Sequence, residues 1–237
     1  MSLIMRVLAL DTATQACTLA LWESGVVRAR HEIKARAHNR HVLAMLRDVL
    51  DGQPLQDAVD LIACGTGPGS FTGLRVAVSV AQGLAWSREL PVQGFCSLTA
   101  QVFSGADSGK LTDGVSVLST IDAQIDKLYG QWGLWCDGHF VPDSEPFVCP
   151  PEQVPLPSEM DHTVVLGSGG GYWSRFPDWL RNESHADVEV TPNAAVMARL
   201  YATGQLPVES VPAHRLSPQY VQRDMGWKKL YAQGQRG

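Results

Sequence analysis

A chain of 237 residues that is 45% apolar and 18% charged has the composition of a folded globular protein and excludes a disordered or fibrous one. It is long enough to bury roughly 70% of its unfolded surface, as one large unit or two small ones. Its formal charge of -5 argues against a domain that grips RNA unaided, because Lys and Arg contacts to phosphate supply most of that affinity.

Residues 6–10 form an apolar run that ends at Asp11-Thr12, which predicts a first strand and a turn. Residues 17–22 and 26–33 predict two more strands joined at Ser24-Gly25, completing a meander. Asn39 is a candidate N-cap for a helix in which Val42, Leu43, Leu46, Val49 and Leu50 recur at helical spacing, stopped by Asp51-Gly52-Gln53-Pro54. A short buried strand over 60–64 runs into Gly65-Thr-Gly-Pro-Gly-Ser-Phe-Thr-Gly73, and a second helix is expected over 74–87. A strand over 91–95 follows, and then a third helix capped by Ser97.

The second half restarts the pattern. A strand over 115–121 ends in Asp122-Ala123, as the first strand ends in Asp11-Thr12. Residues 127–135 and 139–141 flank an Asp137-Gly138 hairpin turn. Residues 142–157 hold six prolines and read as an irregular connection. A strand over 164–166 feeds Gly167-Ser-Gly-Gly-Gly171, and a helix over 194–201 ends near Gly204. Such an internal echo predicts a duplicated fold. The expected class is α/β: two actin-like (ribonuclease-H-like) domains with mixed sheets flanked by helices, spanning 1–101 and 102–237.

The glycine run from Gly65 to Gly73 sits between a strand and a helix start, where bare N–H groups and the helix dipole favour an anion. It is neither a Walker A loop nor a dinucleotide fingerprint. It therefore reads equally as a phosphate cradle or as a tight turn that packs the helix on the sheet. Asp11, Thr12, Gly67, Gly69, Ser70, Gly169 and Gly170 are the candidate nucleotide-binding residues. The helix over 74–87 is apolar on most sides, with Ala77, Ala81 and Ala85 in a small stripe and Val76, Val80 and Leu84 on a bulkier face. One of its faces is expected to meet a second subunit, through Leu74, Ala77, Val78, Ala81 and Ala85, together with Val42, Met45, Leu46 and Val49 of the preceding helix. His38 and His41 lie three apart with no third ligand in evidence, so no metal site is assigned. The five cysteines form no C-x-x-C pair and read as small hydrophobes in a reducing compartment. The opening residues lack the features of a signal peptide, and no window approaches the ~18 apolar residues of a membrane helix.

Three segments together resemble the TsaB family: the strand pair over 8–21 with Asp11-Thr12 at its turn, Gly65-Thr-Gly-Pro-Gly-Ser-Phe-Thr-Gly-Leu-Arg75, and Ala81-Gln-Gly-Leu-Ala85. Ile121-Asp122-Ala123, Tyr129, Gln219-Tyr220-Val221 and Trp227-Lys-Lys-Leu230 are similar to it too. The resemblance implies a non-catalytic subunit in the bacterial synthesis of threonylcarbamoyladenosine, the modified base beside the anticodon of tRNAs. It implies pairing with a related TsaD-like catalytic subunit through the first two helices, a TsaE-like ATPase as third partner, and tRNA met only through the complex. A homodimer in the partner's absence, a cytoplasmic location, and no cofactor held tightly by this chain alone complete the expectation. ATP or ADP with Mg²⁺ stands as the candidate ligand within the complex. Thr66 and Gln124-Ile125-Asp126 depart from that pattern, which commonly carries basic residues there. The alternative is a nucleotide-binding ATPase or small kinase of the same superfamily.

Overall fold

The computed structural model describes residues 5–33, 38–158, 162–182 and 184–221. The Trp227-Lys-Lys-Leu230 segment lies outside them.

Strands β1 (Val7–Asp11), β2 (Ala16–Glu23) and β3 (Val26–Ile33) form an antiparallel meander. Helix α1 (His38–Leu50) and a single turn, α2 (Leu55–Ala58), lead to β4 (Leu61–Gly67), which lies parallel to β1. Helix α3 (Phe71–Trp86), strand β5 (Val92–Cys96) and helix α4 (Ser97–Asp107) complete the half. The sheet order is β3-β2-β1-β4-β5. The central strand β1 is buried along its whole length, as expected for a strand covered on both faces. The pleat divides its side chains: Val7 and Ala9 join one core, Leu8 and Leu10 the other.

The second half repeats this plan. Strands β6 (Val115–Gln124), β7 (Lys127–Cys136) and β8 (His139–Pro142) form the meander. The short strand β9 (Phe147–Cys149) adds to β7. Strand β10 (Thr163–Leu166), helix α5 (Asp178–Asn182), strand β11 (Ser184–Asp187) and helix α6 (Ala194–Ala202) follow. The order β11-β10-β6-β7-β8 maps strand for strand onto the first sheet, with β6 as the counterpart of β1. The halves differ between β8 and β10. There β9 and a 3₁₀ turn at Pro151–Gln153 stand, in chain order, where the first half has α1.

Helices α4 and α6 lie between the sheets. Helix α6 packs on β1, β2 and β3 and on α4, while α4 touches β4 and β5 on one side and β6, β7 and β10 on the other. One apolar cluster consequently joins Val7, Ala9 and Ala63 of the first sheet to Val117, Val164 and Leu166 of the second, through Phe103 and Met197. The boundary expected after residue 101 falls inside α4, and α6 returns to the sheet of the first half. The outer face of the first sheet is covered by α1 and α3. That of the second is filled by Leu118, Leu128, Trp132, Phe176 and Leu180.

Several expected boundaries moved for local reasons. Helix α1 begins at His38, so Asn39 lies in its first turn instead of capping it. Helix α3 begins at Phe71 because Ser70 takes the cap position, its Oγ accepting the Gly73 N–H at 3.3 Å. Ser97 does not cap α4: Cys96 holds that position, and the Ser97 hydroxyl donates elsewhere. Gly167–Gly171 is not an open loop, since 3₁₀ turns run from Ser168 to Arg175. The hairpin at Asp137-Gly138 has φ of 52° and 75°, as a primed turn requires. Cys17 and Cys64 are buried and unpaired, and burial pushes the Cys17 thiol up to about 11.

Candidate functional site

Strand β1 delivers Asp11 to a buried turn, where its side chain is 1% exposed. Oδ1 accepts the Ala13 N–H at 2.7 Å and Oδ2 accepts the Ser97 hydroxyl at 2.7 Å. Burial raises the carboxyl to about 6, against the pull of those two donors. The glycines that follow β4 close around this turn. A Cβ added to Gly65 would lie 2.0 Å from Asp11 Oδ2, and one on Gly73 would lie 1.9 Å from the Thr12 carbonyl oxygen. The Ser70 N–H donates to the Ala13 carbonyl at 2.7 Å, and the Thr12 hydroxyl donates to the Gly73 carbonyl at 2.7 Å. At Gly67 (φ 117°) the neighbour is the carbonyl of Gln219, whose own N–H donates to Thr66 O at 2.8 Å.

The space these glycines leave is thus filled by the protein's own atoms, the Asp11 carboxylate at Gly65 and backbone carbonyls at Gly67, Gly69 and Gly73. Of the two readings of residues 65–73, the observed one is the tight turn that seats a helix on a sheet. Asp11, Thr12, Gly67, Gly69 and Ser70 lie on the two turns that meet here, and of the five only Ser70 is exposed. Gly169 and Gly170 lie in the second half, in the 3₁₀ turns that follow β10. Added Cβ atoms there would lie 2.6 Å from the Thr120 Cβ and 3.0 Å from a Val188 methyl. The second glycine run is also packed against its own fold.

The nine residues expected at a partner interface require correction. Val42, Met45, Leu46, Val49, Leu74, Ala77, Val78, Ala81 and Ala85 all face inward, and Leu46, the most exposed, reaches only 7%. Except for Leu74, they belong to the cluster that packs α1 and α3 on the first sheet. The physical reason is that a helix lying on a sheet turns its strongest apolar stripe into the sheet, and the alanines of α3 let it approach closely. The outward face is a different set. Leu43 is 62% exposed and Trp86 72%, with Phe71 exposed and Val76 and Val80 half-buried beside them. An open groove of about 470 Å³ runs between α1 and α3, lined by Leu43, Phe71, Thr72, Arg75, Val76, Ser79 and Val80. The signal for it was present in Val76 and Val80, the bulkier face of the helix, and in Leu43, out of phase with Val42, Leu46 and Val49.

The chain's last described residues edge this groove. The Tyr220 ring lies 5.5 Å from that of Phe71, and its hydroxyl accepts from Arg75 Nε at 3.1 Å. The Arg75 guanidinium carbon sits 3.7 Å from the Phe71 centroid, a cation–π contact. His41 is half-buried in the first turn of α1.

A duplicated meander with a parallel strand pair in each half, and helices α4 and α6 between the sheets, defines the actin-like (ribonuclease-H-like) class of proteins. A family model described as TsaD, tRNA N6-adenosine threonylcarbamoyltransferase, matches residues 23–131. The tRNA threonylcarbamoyladenosine biosynthesis protein TsaB of Escherichia coli K12 is 34% identical, over 95% of this chain and 98% of its own length. The protein of the same name from Haemophilus influenzae is 31% identical over 95% and 97%. A crystal structure from Pseudomonas aeruginosa, of an uncharacterized protein with similarity to peptidase YEAZ, superposes with a TM-score of 0.81 at 33% identity, covering 92% of this chain and all of that one. A second structure, YeaZ from P. aeruginosa, gives a TM-score of 0.78. The chain belongs to the TsaB family. Among the described residues, no helix is long and apolar enough to cross a membrane.

Proposed function

We propose that this chain is the non-catalytic pairing subunit of the complex that transfers a threonylcarbamoyl group to the adenosine beside the anticodon of tRNA. Its partner is a TsaD-like catalytic subunit, and the contact is the outward face of α1 and α3. The observation that carries this reading is that face: Leu43 and Phe71 stand in solvent at a groove with an apolar floor of Val76 and Val80, and Trp86 is exposed at the end of α3. Exposed aromatic anchors beside a pocket are the features that dominate interface energies. The sealed Asp11 turn supports the absence of chemistry here, because both carboxylate oxygens already accept hydrogen bonds inside the fold. The net charge of -5 supports a tRNA bound only through partners, with a TsaE-like ATPase and its ATP or ADP and Mg²⁺ joining at the level of the complex.

Light scattering of this chain mixed with its TsaD-like subunit tests the reading. A heterodimer mass is expected, and each protein running at its own mass refutes it. Two neighbouring substitutions sharpen the test. Val80→Asp, on the outward face, is expected to abolish pairing while leaving the free chain folded. Ala81→Asp, fully buried, is expected to unfold the chain by about 3 kcal/mol or more, because it places a charge against the sheet without a partner.

A further inference from the structure

We propose that the hairpin joining β7 and β8 carries a binding site for one thiophilic divalent cation of the Zn²⁺ class, held by Asp113, Cys136 and Asp137. The Cys136 Sγ and one carboxylate oxygen of each aspartate lie within 4.8 Å of one another. The three residues come from separate pieces of backbone. Cys136 ends β7, Asp137 opens the turn that follows, and Asp113 lies in the approach to β6. The site stands in the second half and is independent of the pairing reading.

The backbone holds these groups together. The primed turn at Asp137-Gly138 sets Cys136 and His139 directly opposite each other on β7 and β8. Their Cys-x-x-His spacing is the two-residue gap that zinc sites use between paired ligands. The Asp137 N–H donates to Asp113 Oδ1 at 2.6 Å and the Gly114 N–H to Trp135 O at 2.8 Å, which ties the approach to β6 to the hairpin. Cys136 Sγ lies 3.7 Å from Asp137 Oδ2. Sulfur and oxygen ligands of one tetrahedral zinc ion stand about 3.6 Å apart, so little movement is needed. His139 Nδ1 lies 2.8 Å from the Asp137 carbonyl oxygen. A ring that donates there keeps Nε2 as its lone-pair nitrogen, the arrangement usual in coordinating histidines, and His139 is the candidate for the fourth position.

The donor set selects the ion. Two adjacent carboxylates, with no Lys or Arg paired to either among the described residues, favour a cation. The thiol argues against Mg²⁺ and Ca²⁺, which take oxygen shells, and for zinc, which accepts sulfur, oxygen and imidazole together. On binding, the thiol gives its proton to solvent and the sulfur is held as thiolate. Cys136 is only half-buried, and here it departs from the reading of the cysteines as small hydrophobes.

Titration of the reduced full-length chain with Co²⁺, as a spectroscopic probe, tests this. One equivalent is expected to bind with a thiolate-to-cobalt charge-transfer band in the near ultraviolet, and Zn²⁺ is expected to displace it. Cys136→Ser is expected to abolish the band, and Cys149→Ser to leave it unchanged. Asp113→Asn keeps an acceptor for the Asp137 N–H and is expected to weaken binding at least about tenfold, the loss that even an outer-shell partner brings. No band in a large excess of Co²⁺, a band that survives Cys136→Ser, unchanged affinity in Asp113→Asn, or displacement of Co²⁺ by an equal concentration of Mg²⁺ overturns the proposal. Thermal melting supplies a second readout. Zn²⁺ is expected to raise the midpoint of the wild-type chain and not that of Cys136→Ser, and equal rises in both overturn the proposal. Neither readout needs a partner subunit, so the result stands apart from the light-scattering test of pairing.

Discussion

Two glycines in one helix are expected to respond to alanine with opposite signs. Gly73 lies in the first turn of α3, where an added Cβ would sit 1.9 Å from the Thr12 carbonyl oxygen, a backbone atom that cannot swing aside. The turn would have to move. Overpacking of this kind costs about 1–3 kcal/mol, and moving the turn also strains the hydrogen bond from the Thr12 hydroxyl to Gly73 O, worth about 0.5–1.5 kcal/mol. Against this stands the gain of about 1 kcal/mol that alanine brings to a helix interior. The net expectation for Gly73→Ala is a loss of about 2 kcal/mol, at the middle of a range of roughly 0.5–3.5 kcal/mol. Gly83, nearly three turns on, is exposed, with nothing within 4 Å of its added Cβ. There only the propensity gain operates, and Gly83→Ala should stabilise by about 0.5–1 kcal/mol. Urea unfolding followed by circular dichroism separates them. With a slope of about 2–3 kcal/mol/M, the Gly73→Ala midpoint falls by roughly 1 M and the Gly83→Ala midpoint rises by about 0.3 M. A Gly73→Ala midpoint at or above wild type refutes the packed-turn account, because a glycine kept free for a phosphate would tolerate the methyl in the empty protein.

Asp11→Asn is expected to alter the pH dependence of stability. Burial holds the folded carboxyl near 6, above the ordinary aspartate value of 3.8, so its favourable contribution is full below about 4 and is lost as pH rises through 6. Asparagine keeps an acceptor for the Ala13 N–H and removes that loss. The variant should therefore gain up to about 3 kcal/mol on wild type between pH 4 and pH 8, and an equal difference at both pH values in urea titrations rejects the account. Gln101→Leu tests the joint between the halves. Gln101 is buried in α4, and its amide donates to Ser119 Oγ at 3.0 Å, Thr120 O at 3.1 Å and Leu166 O at 3.2 Å. Leu166 O keeps the Thr120 hydroxyl at 2.7 Å, but loss of the Gln101 amide from this buried cluster should cost about 1–3 kcal/mol and lower the melting temperature by several degrees. An unchanged melting curve rejects it.

The meander, the parallel strands and the repeat were legible in the sequence because each leaves a local mark. Central strands are unbroken apolar runs, and hairpins announce themselves at Ser24-Gly25 and Asp137-Gly138. Strand β11 was not legible: Ser184-His-Ala-Asp187 is a polar edge strand with no apolar alternation. The path of α6 was also hidden, since a helix's sequence does not say which sheet it will cover. At the candidate site the difficulty was of another kind. Glycine is selected alike by a phosphate and by a close-packed backbone, and only the atoms beside Gly65 and Gly73 distinguish the two. Likewise α3 carries two apolar faces. The stronger, alanine-lined one proved to be core, and the weaker one, with Val76 and Val80, is the face left to the outside.

The repeat is incomplete in one respect that bears on assembly. In the first half a long helix, α1, stands between the meander and the parallel strands, whereas the described residues of the second half carry β9 and a single 3₁₀ turn at that point. Among the described residues, a groove walled by two helices of this kind accordingly stands in the first half and has no counterpart in the second. A protomer with two such sockets could be bridged on both sides and grow without limit, while a single socket gives the molecule a valence of one. If the chain pairs through α1 and α3 as proposed, association stops at two members, whichever protein supplies the other.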